Sequence, residues 1–310
     1  MSTPSQTPHD PWPELPLPAW QDTYATLHMW TQVVGKVRLA LTPLINHWWE
    51  VALYVNARGL TTSAIPYGDR IFEVEFDFID HQLIVQTSWG SSKTLALRPQ
   101  SVAAFYAEFM SALHALGIDV KIWSMPVEVP TPVAFEKDTQ HASYDPEYAH
   151  RFWRVLILCE NVFQEFRAGF IGKSSPIHFF WGSFDLCVTR FSGRRAPERP
   201  GADFVTREAY SHEVISAGFW PGGGGVDGPA FYAYAAPEPA GFAAQPVQPP
   251  AAFYHPQMKE FVLMYDDVRR APSPRQALLS FLQSTYEAGA NLAHWDRKEL
   301  EKNSEATGIS

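Results

Sequence analysis

Apolar residues in "QDTYATLHMWTQVVGKVRLAL" fall at Leu27, Trp30, Val33, Val34, Val37 and Leu41, a helical spacing, with Asp22 near the N-cap. The other face carries Tyr24, His28, Gln32 and Arg38, so the pattern predicts an amphipathic helix. The period then changes. "HWWEVALYV", "GLTTSAIP", "IFEVEFDFID", "QLIVQTS" and "KTLALR" are short β-rich runs divided by Gly, Asp and Ser turn signals. In the third of them Phe72, Val74, Phe76 and Phe78 alternate with Glu73, Glu75 and Asp77, the pattern of a sheet with one face in water. "PQSVAAFYAEFMSALHALG" predicts a helix, with Pro99 before it and Gly117 as C-cap.

The stretch 124–145, "SMPVEVPTPVAFEKDTQHASYDP" up to Asp145, is Pro-rich and reads as a linker or strap. Beyond it the order repeats. "EYAHRFWRVLILCENVFQEFRAGF" predicts a helix, β-like runs follow at about 177–190, 209–218, 230–235 and 260–265, and "SPRQALLSFLQSTYEAGANL" predicts the closing helix. "QVVGKVR" aligns with "NVFQEFR" and "NHWWEVALYV" with "IHFFWGSFDL", pairing Arg38 with Arg167 and His47 with His178. The expectation is an α+β protein of two pseudo-repeated helix–antiparallel sheet–helix units in one compact molecule. The α-β5-α order of the first unit is similar to that of the frataxin or YjbR-type sandwich, an analogy of order alone. The divisions are a Pro-rich tail over 1–19, an N-terminal unit over 20–123, the 124–145 strap, a C-terminal unit with the site over 146–300, and a tail over 301–310.

Composition narrows the class. The chain has 310 residues, 46% of them hydrophobic, enough for a large core. Its net charge of −9 argues against a nucleic-acid partner, which calls for a basic stripe. Neither a signal-like N-terminus nor a run of about 18 apolar residues occurs, which gives the expectation of a cytoplasmic protein with no membrane partner. Cys159 and Cys187 form no C-x-x-C pair and read as buried small hydrophobes.

Several short motifs fail on inspection. "GFIGKSS" ends like a phosphate-binding loop, but Arg167 stands at its first glycine and a helix precedes it. "HEVIS" has Ser216 where a zinc-protease helix has its second histidine, and "WGSFD" lacks the second glycine of a nucleophile elbow. "PGGGGVDG" reads as a flexible loop. No nucleotide cofactor is expected.

What remains is "SPIHFFWGSFDLCVTRFSGRRAP", 175–197. In an unbroken strand His178 and Asp185 face opposite sides, since side chains alternate. A bulge at Gly182 shifts the phase and puts His178, Ser183, Asp185, Cys187 and Thr189 on one face. The plain alternative makes His178 a hydrogen-bonded core histidine and Asp185 an ion-pair partner of Arg190 or Arg154. Counted together, His178, Asp185, Arg190, Tyr210, His212, Glu213 and His28 lie in or beside core segments, where unpaired charge is costly. Imidazole and carboxylate together suit acid–base catalysis or binding of a divalent metal.

"FIGKSSPIHFFWGSFDLCVTRFSGRRAP", "REAYSHEVISAGFWPGGGG" and "DTYATLHMWTQVVGKVRLAL" resemble a family of uncharacterised bacterial proteins, a domain of unknown function, from about Trp12 to Trp295. The resemblance implies a soluble bacterial protein of this length and supplies no activity. The functional expectation therefore rests on chemistry. It is an enzyme acting on a small organic, carboxylate-bearing substrate in an aromatic-lined pocket, with a non-catalytic ligand-binding or interaction protein as the alternative. His178, His212, Asp185 and Glu213 are the candidate catalytic groups. Arg190 is the candidate anion clamp, with Trp181, Tyr210, His28 and Trp220 lining the pocket. His178, His212 and Asp185 are the candidate ligands of a divalent metal. Other cofactors, the substrate and the oligomeric state are not specified by the sequence.

Overall fold

The computed structural model describes residues 11–223 and 225–302. Helix α1 spans Leu17–Leu41, beginning six residues earlier than an Asp22 N-cap would set, because Pro18 in its first turn has no N–H to lose there. Residues 17–19 of the expected tail are thus helical, and Trp12 and Leu15 before them are buried. The polar face of α1 is also covered: His28, Gln32, Lys36 and Arg38 are all buried. Part of the cover is the Pro-rich strap, whose Val127 exchanges two 2.8 Å hydrogen bonds with the Gln32 amide. An amphipathic helix has become a central one.

A 3-10 segment, Asn46–Val51, replaces most of the first predicted strand; its His47 and Trp48 both have φ of 62°. Then come β1 (Tyr54–Val55), β2 (Gly59–Thr61), β3 (Ile65–Tyr67), β4 (Arg70–Asp77), β5 (Gln82–Thr87) and β6 (Ser92–Ala96), in the antiparallel order β1-β2-β4-β5-β6 with β3 also on β4. Phe72, Val74, Phe76 and Phe78 are buried, as their alternation predicts. They face α2 (Val102–Ala115), capped by Ser101 Oγ on the Ala104 N–H and followed by Gly117 at φ 75°. Trp30 stacks on Phe105 at 4.7 Å and so ties α1 to this layer.

Between 116 and 145 the regular structure is one 3-10 turn, Phe135–Lys137, with Phe135 fully buried. Asp145 then caps α3 (Pro146–Ala168). The second sheet contains β7 (His178–Phe180), β8 (Asp185–Arg195), β9 (His212–Trp220), β10 (Ala230–Ala236), β11 (Phe253–His255) and β12 (Glu260–Met264), ordered β11-β12-β10-β9-β8-β7. Helix α4 (Phe204–Ala209) precedes β9, while α5 (Tyr265–Arg269), α6 (Pro274–Leu292) and α7 (Arg297–Leu300) follow β12. A two-bond antiparallel bridge, Leu53 to Phe179 at 2.8 Å each way, joins the β7 edge to the chain just before β1. One contiguous core runs through both halves, from Trp30, Phe76 and Phe105 to Phe152, Phe179, Phe219 and Phe281.

The fold is therefore α+β with two antiparallel sheets, and each half runs helix, sheet, helix. The paired sequence motifs divide. Arg38 and Arg167 do play the same part, each donating its Nε to a carbonyl in the segment after its helix, Glu50 and Ser175 respectively. His47 and His178 do not correspond: the first is in a 3-10 turn with left-handed backbone, the second in a strand.

Candidate functional site

The stretch 175–197 is a hairpin and not one strand bulged at Gly182; the register of β8 shifts only further on, between Phe191 and Arg195. The chain reverses between Phe180 and Asp185, with Phe184 at φ 59°, and pairs His178 with Cys187 and Phe180 with Asp185. Residues directly opposite share a face, so His178, Asp185, Cys187 and Thr189 do lie on one side, through reversal of the strand. The turn is built into the protein. His28 Nε2 bonds the Gly182 carbonyl at 2.8 Å, Trp181 Nε1 donates to the Val51 carbonyl at 2.7 Å, and a Cβ on Gly35 would meet the Trp181 ring at 2.3 Å. His28 and Trp181 thus brace the hairpin against α1 and do not face a ligand. Burial holds the His28 pKa down at about 4, against the opposing carbonyl bonds of Gly182 and Trp181.

Alternation sorts the remaining candidates. On β8, Phe191 shares the parity of Asp185 and Cys187, whereas Arg190 points to the helices. It is caged there by Phe166, Tyr286 and Phe170, at 3.4, 4.3 and 5.0 Å from its guanidinium carbon, and donates to the Phe166 carbonyl. Buried in the core, it is no anion clamp for a bound substrate. On β9, His212 and Glu213 take opposite faces for the same reason, and Glu213 is held by Arg194 at 2.7 Å. His178 pairs with Cys187, which pairs with Gly218, six residues along β9 from His212. At about 3.3 Å per residue that is roughly 20 Å of strand. The expected joint site of His178, His212 and Asp185 therefore does not form, and no group of three or more His, Cys, Asp or Glu among the described residues could hold a metal.

Asp185 has its own surroundings. It is buried, with the Ser183 and Tyr232 hydroxyls donating to it. Burial raises its pKa against those two bonds. Glu260 is pushed up to about 7 by burial and by the Asp185 charge. Trp220 packs on Tyr232 at 5.6 Å; Tyr234 and Tyr210 join hydroxyls at 3.1 Å, as do Thr189 and Ser216 at 2.9 Å. This part of the sheet face is lined by hydroxyls and carboxyls.

A second cluster lies where the 3-10 segment, the end of α3 and the C-terminal residues meet. Here a cleft of about 480 Å³ is lined by Trp49, Gln164, Arg167, Lys173, Ser174 and Lys302, among others. Lys302 is placed by backbone pairing of its own N–H to the Gly169 carbonyl, so the expected tail is anchored through 302. Lys173 Nζ is 2.7 Å from His47 Nε2 and lies over the Trp49 and Phe191 rings at 5.2 and 4.7 Å. The other ring nitrogen of His47 donates to the Glu208 carbonyl at 3.2 Å, and its backbone N–H to Glu208 Oε1 at 3.0 Å. That fixes the neutral tautomer: Nδ1 carries the proton and Nε2 accepts from the ammonium. Burial, then the Lys173 charge, lowers the His47 pKa; partial desolvation lowers that of Lys173. His212 stands edge-on to His47 at 5.5 Å. The left-handed backbone at His47 and Trp48, costing roughly 1–3 kcal/mol per residue, is kept up by these contacts.

His178 lies on the far side of Trp49, 5.8 Å between ring centres, boxed by Tyr54 and Phe180. It is buried, yet neither ring nitrogen has a hydrogen-bond partner among the described residues. Burial, then the charges of Arg38 and Arg167, pushes its pKa down to about 3. Trp49 thus borders both His178 and the cleft, and the charge of Arg167 on the cleft wall is felt at His178. The sequence pointed to His178 but not to His47 and Lys173 as a pair. Lys173 stood out only as the end of a failed phosphate loop, and nothing local shows that it meets a residue 126 positions earlier.

Together these features define an α+β protein with helices packed on the inner faces of its sheets and a cationic, tryptophan-walled cleft at one end of the second sheet. It belongs to a family of unknown function, DUF5996, matched over residues 12–302. No curated protein and no solved structure matches it. Among the described residues no helix is long and apolar enough to cross a membrane.

Proposed function

We propose that the chain is an enzyme that binds a small organic, carboxylate-bearing molecule in the Trp49 cleft and acts on it by acid–base chemistry. The observation that carries this is the convergence of Arg167, Lys173 and Lys302 on one cleft in a protein of net charge −9, with Lys173 hydrogen-bonded to a neutral imidazole. Like-charged side chains gathered this way repel one another unless an anion offsets them. Arg167, whose Nε is spent on the Ser175 carbonyl, keeps its other N–H groups for a carboxylate and takes the clamp role expected of Arg190. Trp49 supplies the apolar wall. His47, neutral and hydrogen-bonded on both sides, takes and returns a proton, while neutral His178 offers one donor and one acceptor behind Trp49.

A non-catalytic ligand-binding protein is the second reading, favoured by the dispersal of His178, Asp185 and His212. Calorimetric titration with benzoate, pyruvate and their methyl esters tests the shared premise. The acids are expected to bind and the esters not, with Arg167→Gln and Lys302→Met each weakening binding by about tenfold, in line with roughly 1.5–3 kcal/mol for a charged hydrogen bond. Equal behaviour of acids and esters removes the anion site. Binding without turnover of any acid in a substrate screen favours the second reading.

A further inference from the structure

We infer that Lys173 is a reactive amine that condenses with the carbonyl carbon of a small oxo acid, an aldehyde or ketone that also carries a carboxylate. The inference rests on the reading of the Trp49 cleft as an anion site and names the substrate class of that site. Most surface lysines end in water or on a carboxylate. Lys173 ends on an imidazole acceptor at 2.7 Å, over the faces of Trp49 and Phe191, on the wall of a cleft shared with Arg167 and Lys302. An ammonium cannot attack a carbonyl, so the first requirement is a base for its proton. His47 Nε2 is that base, at hydrogen-bond distance and with its lone pair aimed at Nζ because Nδ1–H is committed to the Glu208 carbonyl.

The chemistry closes without any redox partner. His47 takes one proton from the Lys173 ammonium, and the freed Nζ pair forms a C–N bond to the carbonyl carbon while the C–O π pair moves to oxygen. That oxygen collects the proton from His47 and one of the two protons left on nitrogen, then leaves as water as the C=N bond forms, and the iminium nitrogen keeps the last proton and the positive charge that the ammonium began with. Arg167 and Lys302 hold the carboxylate of the oxo acid, and Trp49 flanks its carbon frame, so the carbonyl of a short acid lies within reach of Nζ. Lys173 is exposed, but partial desolvation lowers its pKa against the opposing Glu208 charge and so works in the same direction by favouring the free amine. The same arrangement accounts for a lysine kept close to a histidine by two strained residues, His47 and Trp48, where a salt bridge would have served for stability alone.

Borohydride trapping tests the inference. The full chain is incubated with glyoxylate, pyruvate or para-carboxybenzaldehyde, reduced with sodium borohydride, and analysed by intact and peptide mass spectrometry, with titration calorimetry on the same acids. The expected result is one secondary-amine adduct on Lys173, absent in Lys173→Arg. Trapping should be slowed by about tenfold or more in His47→Gln and His47→Ala variants that melt cooperatively. The neutral para-tolualdehyde should be trapped about tenfold less than the carboxybenzaldehyde. Acids that bind yet give no adduct, or one scattered over exposed lysines such as Lys93 and Lys121, would overturn the reactive lysine and leave the anion site standing. Acids that neither bind nor trap would overturn both.

Discussion

His178 shows what burial does to a titratable side chain. Its ring is enclosed by Trp49, Tyr54 and Phe180 with no hydrogen-bond partner among the described residues, and its pKa falls from 6.5 to about 3. In the unfolded chain the same residue protonates at about 6.5. Below that pH the unfolded state binds a proton that the folded state refuses, so the stability tied to His178 is fully present above pH 6.5 and is lost as the pH falls towards 3. At pH 5 this amounts to about 2 kcal/mol. Buried Asp185 and half-buried Glu260, with raised pKa values, work in the opposite direction, so the effect must be read as a difference. Urea unfolding of His178→Phe against the parent chain at pH 7 and pH 5 is expected to show the variant gaining about 2 kcal/mol on the parent between the two. An unchanged difference would mean that the imidazole is hydrated or paired when folded.

At the scale of elements, strand parity and close backbone approach decide which side chains meet. Gly218 on β9 lies under Tyr232: a Cβ there would stand 2.4 Å from the Tyr232 hydroxyl and 2.5 Å from the Leu186 carbonyl of β8. Neither neighbour can yield cheaply, one being backbone and the other donating to Asp185. Gly218→Ala is therefore expected to cost about 1–3 kcal/mol, the usual range for overpacking, and to detach Tyr232 from Asp185. Comparison with Tyr232→Phe separates the two effects. If both variants lose the same stability, the glycine acts through the hydroxyl alone; a larger loss for Gly218→Ala shows the displaced strand as well. The α4 helix plays a positioning part, since its Glu208 presents both a carboxylate and a carbonyl to His47.

For the molecule as a whole, the two sheets share one core and are bridged at Leu53 and Phe179, while Phe135 of the Pro-rich strap is buried in the same core. Cooperative unfolding follows from that sharing. Scanning calorimetry is expected to give one transition whose van't Hoff and calorimetric enthalpies agree, and a fragment covering 20–123 is expected not to fold alone. Two separable transitions would show instead that each helix–sheet–helix half is a domain with the strap as a true linker.

Periodicity in the sequence determined the long helices, the strands β4, β5, β6, β9, β10 and β12, and the single-faced burial of β4, because helix and strand impose 3.6- and 2-residue repeats on any half-buried segment; it merges β7 and β8 into one run and does not mark β11. It also placed His178, Asp185 and Cys187 on one face, through the wrong device: a bulge and a hairpin reverse parity alike when only the spacing is known. The tertiary structure alone decided the rest. Covering the polar face of α1 with the strap made its histidine and glutamine internal. Parity within β8 and β9 sent Arg190 and Glu213 away from Asp185 and His212. The meeting of Lys173 with His47, and of Lys173 with Lys302 on the wall of one cleft, depends on contacts between segments more than a hundred residues apart. Local pattern carries no information about such pairs, because chain separation sets no bound on which surfaces pack once a common core forms.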